Sequence, residues 1–523
     1  MNRPAGKLKR DLNLFDLFFL GIGSIIGSGW LFAAQKAANS AGSWSLVSWI
    51  IGAVLIILVA LVYAELGAAM PRAGGFVRYP NYTHGSLVGF LIGFFCLLAY
   101  SAVIATEVEA VRGYAQYWWP GLENASGGPS VIGYLMQLAL IVVFFLLNYW
   151  SVNIFGKTNT VITIIKFAVP ALIIIFLLMH VEFSNFSVGG AAPGGIKGVF
   201  AAVTASGIAY SFNGFRNPIE FAGEARNPQK DVPRAIILSV LTGLVIYLLL
   251  QIAFLGATPA NLLAGGWAHV HFDSPWAGLG AAIGLGWLVN LVLLDSVISP
   301  SATGNIYFSS TARSLLAWAR NGTFYKIFGK VGARTGVPRP ALWLTFLMAV
   351  LWMSPERFQN WSGIISASTS AKAFTFVVGP VSLITLRHYL PDMKRPFLLK
   401  GARIIAPLAF IASTFIIYWS GWRVISILVP LFIPALVFYF AFVDKDPAFE
   451  GKVSGDVFAG LWLLAYAVFM LILAFVGSYG PEAGRFIAAP WDTLIAAIGS
   501  LAFYRWGIAS ALSTPRMEDD QDD

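Results

Sequence analysis

The sequence predicts an all-α polytopic membrane protein of about fourteen transmembrane helices, the first and sixth of them broken in mid-membrane. Three observations carry this. Of 523 residues, 58% are apolar and 11% charged, whereas a soluble protein of this length carries roughly a quarter charged residues. Apolar runs of about 20 residues, the length that crosses a bilayer core, follow one another from Leu14 to the last tenth of the chain. Finally, glycine and proline signals interrupt two of those runs at a depth where lipid offers exposed backbone no partner.

Taken in order, the spans fall at roughly 13–37, 44–69, 87–118, 131–150, 158–179, 198–222, 233–256, 279–310, 341–354, 362–387, 403–420, 423–443, 455–477 and 491–511. With the N-terminus in the cytoplasm, alternate loops collect the cations. Arg3, Lys7, Lys9 and Arg10 precede the first span, and Arg72 and Arg78 follow the second. Arg226, Lys230 and Arg234 follow the sixth, Arg313, Arg320, Lys326, Lys330, Arg334 and Arg339 the eighth, and Lys394, Arg395, Lys400 and Arg403 the tenth. The opposite loops hold little more than Lys197, Arg357, Arg423 and Arg485. This positive-inside bias places both termini in the cytoplasm. The net charge of +9 therefore records topology, and a nucleic-acid partner is not expected. The short basic N-terminus lacks a small-residue cleavage site ahead of the first span, so no removable signal peptide is expected. The single cysteine, Cys96, excludes an intrachain disulfide. His269 and His271 are the only close histidines, and they read as loop residues rather than as a metal site. Trp30, Tyr63, Trp118, Trp119, Trp276, Trp419 and Trp422 sit near span ends and read as interface anchors.

The first break lies in Leu20-Gly-Ile-Gly-Ser-Ile-Ile-Gly-Ser-Gly-Trp30. Gly21, Gly23, Gly27 and Gly29 each weaken a helix by about 1 kcal/mol against alanine, and they free amides and carbonyls near the bilayer middle. Gly23 and Gly27 also fit the Gly-x-x-x-Gly spacing of close helix packing, so both readings stand on this segment alone. The second break is predicted in Tyr210-Ser-Phe-Asn-Gly-Phe-Arg-Asn-Pro-Ile-Glu220, where Asn213-Gly214 and Asn217-Pro218 are turn signals. Two broken helices five spans apart are the signature of a transporter built from two inverted five-helix repeats around a midplane site. Half-helix N-termini favour a carboxylate and freed carbonyls an ammonium group, a pair that describes an amino acid.

At these residues the chain resembles the amino acid–polyamine–organocation (APC) superfamily of permeases. Gly23-Ser-Ile-Ile-Gly-Ser-Gly29 is similar to its glycine-rich signature. Glu65-Leu-Gly-Ala-Ala-Met-Pro-Arg-Ala-Gly-Gly75 resembles its first cytoplasmic loop, and Glu224-Ala-Arg-Asn-Pro-Gln-Lys-Asp-Val-Pro-Arg234 the loop after its sixth helix. Tyr79-Pro-Asn-Tyr-Thr-His-Gly85 and Ile298-Ser-Pro-Ser-Ala-Thr-Gly-Asn-Ile-Tyr307 look most like bacterial aspartate:proton symporter permeases. The resemblance implies a LeuT-like ten-helix transport core at 13–387, between a cytoplasmic N-terminus at 1–12 and peripheral helices at 388–511, with an acidic cytoplasmic tail at 512–523. It implies a multi-pass protein of the cell (inner or plasma) membrane. Ser24, Ile25, Gly27, Ser28 and Gly29 would hold the substrate carboxylate. Tyr210, Ser211, Asn213 and Gly214 would line the ammonium side, with Tyr210 at an aromatic gate. Lys166 matches the lysine that sodium-independent members place near a sodium position. Arg216 departs from many relatives, which carry an uncharged or acidic residue there, and the two C-terminal spans exceed the usual twelve.

Charges at membrane depth cost several kcal/mol unless paired. Lys166 reads either as a coupling or cation-mimicking group or as a static anchor between the fifth and first spans. In the third span, Glu109 and Arg112 are spaced for a neutralising pair. Glu107 has no local partner, which suits either a proton carrier or a contact with another helix. Asp295 is a similar proton candidate, with Lys166 or Lys372 as its partner. Arg216 offers a two-pronged grip on a carboxylate, favouring an acidic amino acid, or a salt bridge to Glu220. Glu65, Arg72 and Glu224 read as inward-side gating or structural pairs. The expectation is a secondary transporter moving an amino acid, acidic ones such as aspartate or glutamate favoured, with protons by alternating access. Sodium-independent exchange or symport of neutral amino acids is the alternative within transport. A channel would need a polar stripe along a span, an enzyme a metal cluster or activated nucleophile, and an ATP-driven pump a phosphate loop. None of these is found in the sequence, so no catalytic residue, metal or cofactor is expected.

Overall fold

The computed structural model describes residues 10–150, 152–189, 192–332, 335–353, 361–442 and 451–517. Arg3, Lys7, Lys9, Arg334, Arg357 and the acidic run from Glu518 lie outside them.

Helix entry begins with a reciprocal cap. Asn13 Oδ1 accepts from the amides of Phe15 and Asp16 at 2.8 and 3.1 Å, and the Asp16 carboxylate accepts from the Asn13 amide at 2.9 Å. This satisfies orphan amides and starts α1 (Leu14–Ile25). The first span resumes after the break as α2 (Ser28–Ala41), and α3 (Ser45–Ala69) is the second. The third lies in α4 (Gly75–Ala115), where Gly85, at φ +76°, sets residues 75–84 off as a bent arm. The fourth and fifth spans are α5 (Val131–Trp150) and α6 (Val152–Leu178). The sixth is in pieces: α7 (Gly195–Ala205), α8 (Ile208–Ser211), a 3-10 turn at Asn213–Arg216, and α9 (Asn217–Glu220). The seventh is α10 (Pro228–Ala257). A short α11 (Pro275–Ala282) leads into the eighth, α12 (Gly286–Arg320), followed by α13 (Arg339–Met353). The tenth is α14 (Trp361–Phe376) with α15 (Val378–Tyr389). Beyond it come α16 (Ala402–Tyr418), α17 (Trp422–Leu428) with α18 (Phe432–Phe442), α19 (Val453–Val476) and α20 (Trp491–Ala509).

Each predicted span thus has a helical counterpart, and the described residues contain no strand. Among the described residues, seven helical stretches are long and apolar enough to cross a membrane by length and composition, from Ser28–Ala69 to Val453–Val476. At the centre, α4 packs on α12 and α14, and α10 packs on α1 and α3. The last helices wrap this centre: α16 lies on α3, and α19 on α4.

The bent arm is where the late helices grip the early ones. Asp456 in α19 accepts from the Ser86 amide at 2.8 Å and the Ser86 hydroxyl at 2.5 Å, and takes both arms of Arg516 at 2.7 and 2.8 Å. A side chain on Gly85 would overlap that carboxylate, so a positive-φ glycine is required here twice over. The Leu512 and Arg516 amides also donate to the carbonyls of Thr83 and Tyr82, both at 2.9 Å.

The expected aromatic anchors divide. Trp118 and Trp119 are exposed, but Trp30, Tyr63, Trp276 and Trp419 are buried in the core. Trp30 stacks on Trp276, and Tyr63 stacks on Phe76 and donates to the Thr375 carbonyl at 2.8 Å. Height along a helix is readable from the sequence, whereas the direction in which a ring points depends on neighbouring helices. The Glu109–Arg112 pair forms as expected, at 2.6 and 2.9 Å, with Gln137 donating to Glu109 at 2.5 Å.

Candidate substrate site

The first break falls where the glycines predict. Ile26 (φ −82°, ψ 80°) and Gly27 (φ −122°, ψ −143°) leave the helical region, and the Gly27 amide turns back to the Ile25 carbonyl at 3.0 Å. Carbonyls freed by the break are met from three other helices. Lys166 of α6 donates to Gly23 O and to Thr303 Oγ1, the latter at 2.8 Å. Thr303 of α12 reaches Gly23 O at 3.0 Å and Ile26 O at 3.3 Å, and Tyr247 of α10 reaches Ile25 O at 2.5 Å. An ammonium and two hydroxyls therefore give these carbonyls hydrogen-bond partners that lipid could not.

Across the break, the opening amide of α2 faces a protein carboxylate. Ser28 N donates to Glu107 Oε2 at 2.8 Å and Ser28 Oγ to Oε1 at 3.0 Å. Tyr210 OH donates to Oε1 at 2.8 Å, and the Trp361 indole donates to Ser28 Oγ at 2.8 Å. Glu107, fully buried, thus occupies the donors expected for a substrate carboxylate and ties α4 to both broken helices. The other residues of that expected set have separate positions. Ser24 Oγ returns to Leu20 O at 2.7 Å. A side chain on Gly27 would press on Thr303 and Glu107, and one on Gly29 would overlap Ser211.

The sixth helix is interrupted in the predicted segment, where α8 gives way to the 3-10 turn at Asn213–Arg216, and also earlier, between α7 and α8. Its left-handed residue is Gly207 (φ +87°), directly after α7, and Ser211 Oγ ties the next turn back to Gly207 O at 2.8 Å. Asn213-Gly214 makes no reversal; the 3-10 turn absorbs it, and Pro218 sits in the first turn of α9, where no amide is needed. Gly214 serves contact: a Cβ there would overlap Gly21 O and Ile25 N, so the backbones of the first and sixth spans touch.

The salt bridge that is one of the two readings of Arg216 does not form. Arg216 makes no ion pair with Glu220 among the described residues; Glu220 accepts from Tyr100 OH at 2.7 Å and Ser314 Oγ at 2.9 Å. The guanidinium lies over Phe76 at 3.8 Å and Tyr100 at 4.3 Å, and donates to Thr375 Oγ1 at 3.0 Å. Asp295 accepts from Ser299 at 2.7 Å, and its second oxygen has no hydrogen-bond partner among the described residues, though Lys166 acts on it through space. Lys372 is not its partner, since that ammonium lies over the rings of Tyr210 and Tyr307. Sequence reasoning missed Trp361, Tyr247 and Thr303 as site residues, because an aromatic or a threonine in an apolar span carries no signal of its own. Lys372 carried one, a lone cation at membrane depth.

Access differs between the two faces. On the face opposite Leu12, a cavity of about 920 Å³ is lined by Gln35, Lys36, Gln116, Asp273 and Arg423, with Ser206 and Trp361. Trp361 also bonds Ser28 and meets Tyr210 edge-on at 6.3 Å, so these rings separate the cavity from Glu107. The Leu12 face is closed. Arg313 clasps Glu224 at 2.5 and 2.9 Å, and Leu12 exchanges backbone hydrogen bonds with Glu224 and Arg226 at 2.9 and 2.8 Å. Glu65 holds Arg387 at 2.5 and 2.9 Å on the same face.

Set against known proteins, residues 12–501 match the amino acid permease family. This chain belongs to that family. The permease is 41% identical over 519 residues, 99% of each chain, to the aspartate-proton symporter of Bacillus subtilis. It is 37% identical over 524 residues to the glutamate/serine transporter of the same organism, covering 98% of this chain and 96% of the relative. Among solved structures it is similar to a nucleobase-cation-symport-1 family transporter in a closed conformation with bromovinylhydantoin bound. That likeness has a TM-score of 0.53 at 13% identity, covers 99% of each chain, and is one of fold. The permease is thus a multi-pass membrane protein with the LeuT-like architecture of two repeats and broken first and sixth helices.

Proposed function

We propose that this permease is a proton-coupled symporter of amino acids, with acidic ones favoured, and that Glu107 is the carboxylate exchanged for the substrate's own. The observation that carries the reading is Glu107 on the Ser28 amide at 2.8 Å, with the Tyr210 hydroxyl on the same carboxylate. A half-helix N-terminus favours one anion, and two carboxylates side by side cannot both stay charged. Substrate carboxylate and ionised Glu107 therefore compete. A proton taken up by Glu107 releases the Ser28 amide to the substrate, and loss of that proton on the other side restores the clasp and expels the substrate.

Ser24, Ile25, Gly27, Ser28 and Gly29 then frame the carboxylate, and Tyr210, Ser211, Asn213 and Gly214 the ammonium side. Lys166 stands in for a coupling cation at the break, and Asp295 is a second proton station. Preference for acidic substrates is supported by the aspartate and glutamate named for the two relatives and by the buried cations Arg216 and Lys372 near the sixth helix. Residues 13–387 form the transport core and 388–511 its peripheral helices. With both termini in the cytoplasm of a cell bounded by this membrane, the 920 Å³ cavity is the external vestibule and Arg313–Glu224 the closed inner gate.

The test is uptake of labelled aspartate into proteoliposomes under an imposed pH gradient without sodium. Accumulation that follows the gradient is expected. Uptake indifferent to pH, or dependent on sodium, overturns the reading.

A further inference from the structure

Lys372 is fully buried in α14, and its ammonium has no hydrogen-bond acceptor among the described residues. Its neighbours are the ring faces of Tyr210 at 5.0 Å and Tyr307 at 4.8 Å. One turn on, Thr375 Oγ1 donates to the Lys372 carbonyl at 2.6 Å and accepts from Arg216 at 3.0 Å, so one threonine joins the two cations. Residues three apart eclipse on a 3-10 turn, which puts Asn213 and Arg216 on one face of the sixth helix, opposite Lys372 and Thr375. Arg216 Nε and Asn213 Nδ2 also lack acceptors.

The carboxylates nearby are already engaged, Glu220 by Tyr100 and Ser314, and Glu107 by Ser28 and Tyr210. What remains is a buried region with two basic side chains and a spare amide donor, which Glu220 and Glu107 reach through space without hydrogen-bonding to them. Ring faces soften the isolation of a cation, but an ammonium at membrane depth is ordinarily paired.

We propose that Lys372 is a specificity-determining residue that binds the side-chain carboxylate of a dicarboxylic amino acid, with Asn213 donating from the facing helix and Arg216 held behind it as a second charge. This rests on the reading that the substrate's own carboxylate displaces Glu107. A dicarboxylic amino acid then spans the site from the opening amide of α2 to Lys372. An amide analogue of the same shape cannot satisfy the ammonium, and a site built around a charge rejects it strongly.

Proteoliposomes holding the wild-type protein, Lys372→Arg or Lys372→Met would be compared for counterflow of labelled aspartate and asparagine, with folding checked by thermal unfolding. In Lys372→Met the aspartate KM should rise at least about 30-fold, as when one member of a buried charge pair is lost, with kcat less affected. The aspartate-to-asparagine preference should collapse, and Lys372→Arg should restore much of it. A folded Lys372→Met that keeps the wild-type preference overturns this proposal alone. Equal loss of both substrates with a lowered unfolding temperature also overturns it, making Lys372 a structural cation. Wild-type vesicles that carry neither amino acid overturn both this proposal and the acidic-symport reading.

Discussion

The Glu107 carboxylate and the Ser28 amide meet at 2.8 Å across a sequence separation of 79 residues. This bond puts an ionisable group from the third span on the opening amide of the helix that resumes after the first break. On the proposed mechanism, substrate recognition and proton traffic share this one place.

Glu107→Gln keeps an acceptor for Ser28 and Tyr210 but cannot carry a proton. Counterflow exchange, which needs no net proton movement, should persist, while accumulation driven by a pH gradient is lost. Paired counterflow and gradient-driven assays separate the two. Equal loss in both would make Glu107 a scaffold.

Lys166→Met keeps the length of the side chain and removes the donor to Gly23 O. A buried carbonyl left short of its partner costs about 1–3 kcal/mol. The variant should unfold several degrees lower in detergent and transport poorly. Unchanged stability would show that Thr303 alone suffices at Gly23.

Gly29→Ala drives a methyl group into Ser211. Overpacking of this kind costs about 1–3 kcal/mol, and Ser211→Gly clears the space. The double variant should recover most of the stability lost by Gly29→Ala. A thermal-unfolding cycle reads the coupling, and strict additivity would refute the contact.

Glu224→Gln strips the buried Arg313 of its carboxylate on the Leu12 face. Losing one member of such a pair costs about 3–5 kcal/mol in the state that contains it, so the closed gate should lose population. Cys96 is buried and makes a silent background. A Leu12→Cys probe should react with a membrane-impermeant maleimide at least about 10-fold faster in the Glu224→Gln background, the ratio expected from as little as 1.4 kcal/mol.

The spans were legible because a bilayer imposes one length on every helix, and apolar runs of that length stand out. The first break was legible because four glycines cluster there. The second was legible from Asn213-Gly214 and Asn217-Pro218, where the α-helix gives way to the 3-10 turn, but the further left-handed turn at Gly207, marked only by Ser206-Gly207, was passed over. Glu107 was singled out for lacking a local partner, and its partners prove to be an amide and two hydroxyls from distant spans, which no spacing rule reports. Arg216 was recognised as unusual, yet its bed of Phe76 and Tyr100 arises from a helix crossing that the sequence does not spell out.

The carbonyls at the first break bear on how this protein is made. Their partners are Lys166, Tyr247 and Thr303, the last 280 residues downstream of Gly23. A chain synthesised from its N-terminus delivers the broken helix to the membrane first and its final partner only with the eighth span. Throughout that interval the break has bare backbone that acyl chains cannot solvate. The break therefore gains its partners in steps, Lys166 with the fifth span, Tyr247 with the seventh and Thr303 with the eighth.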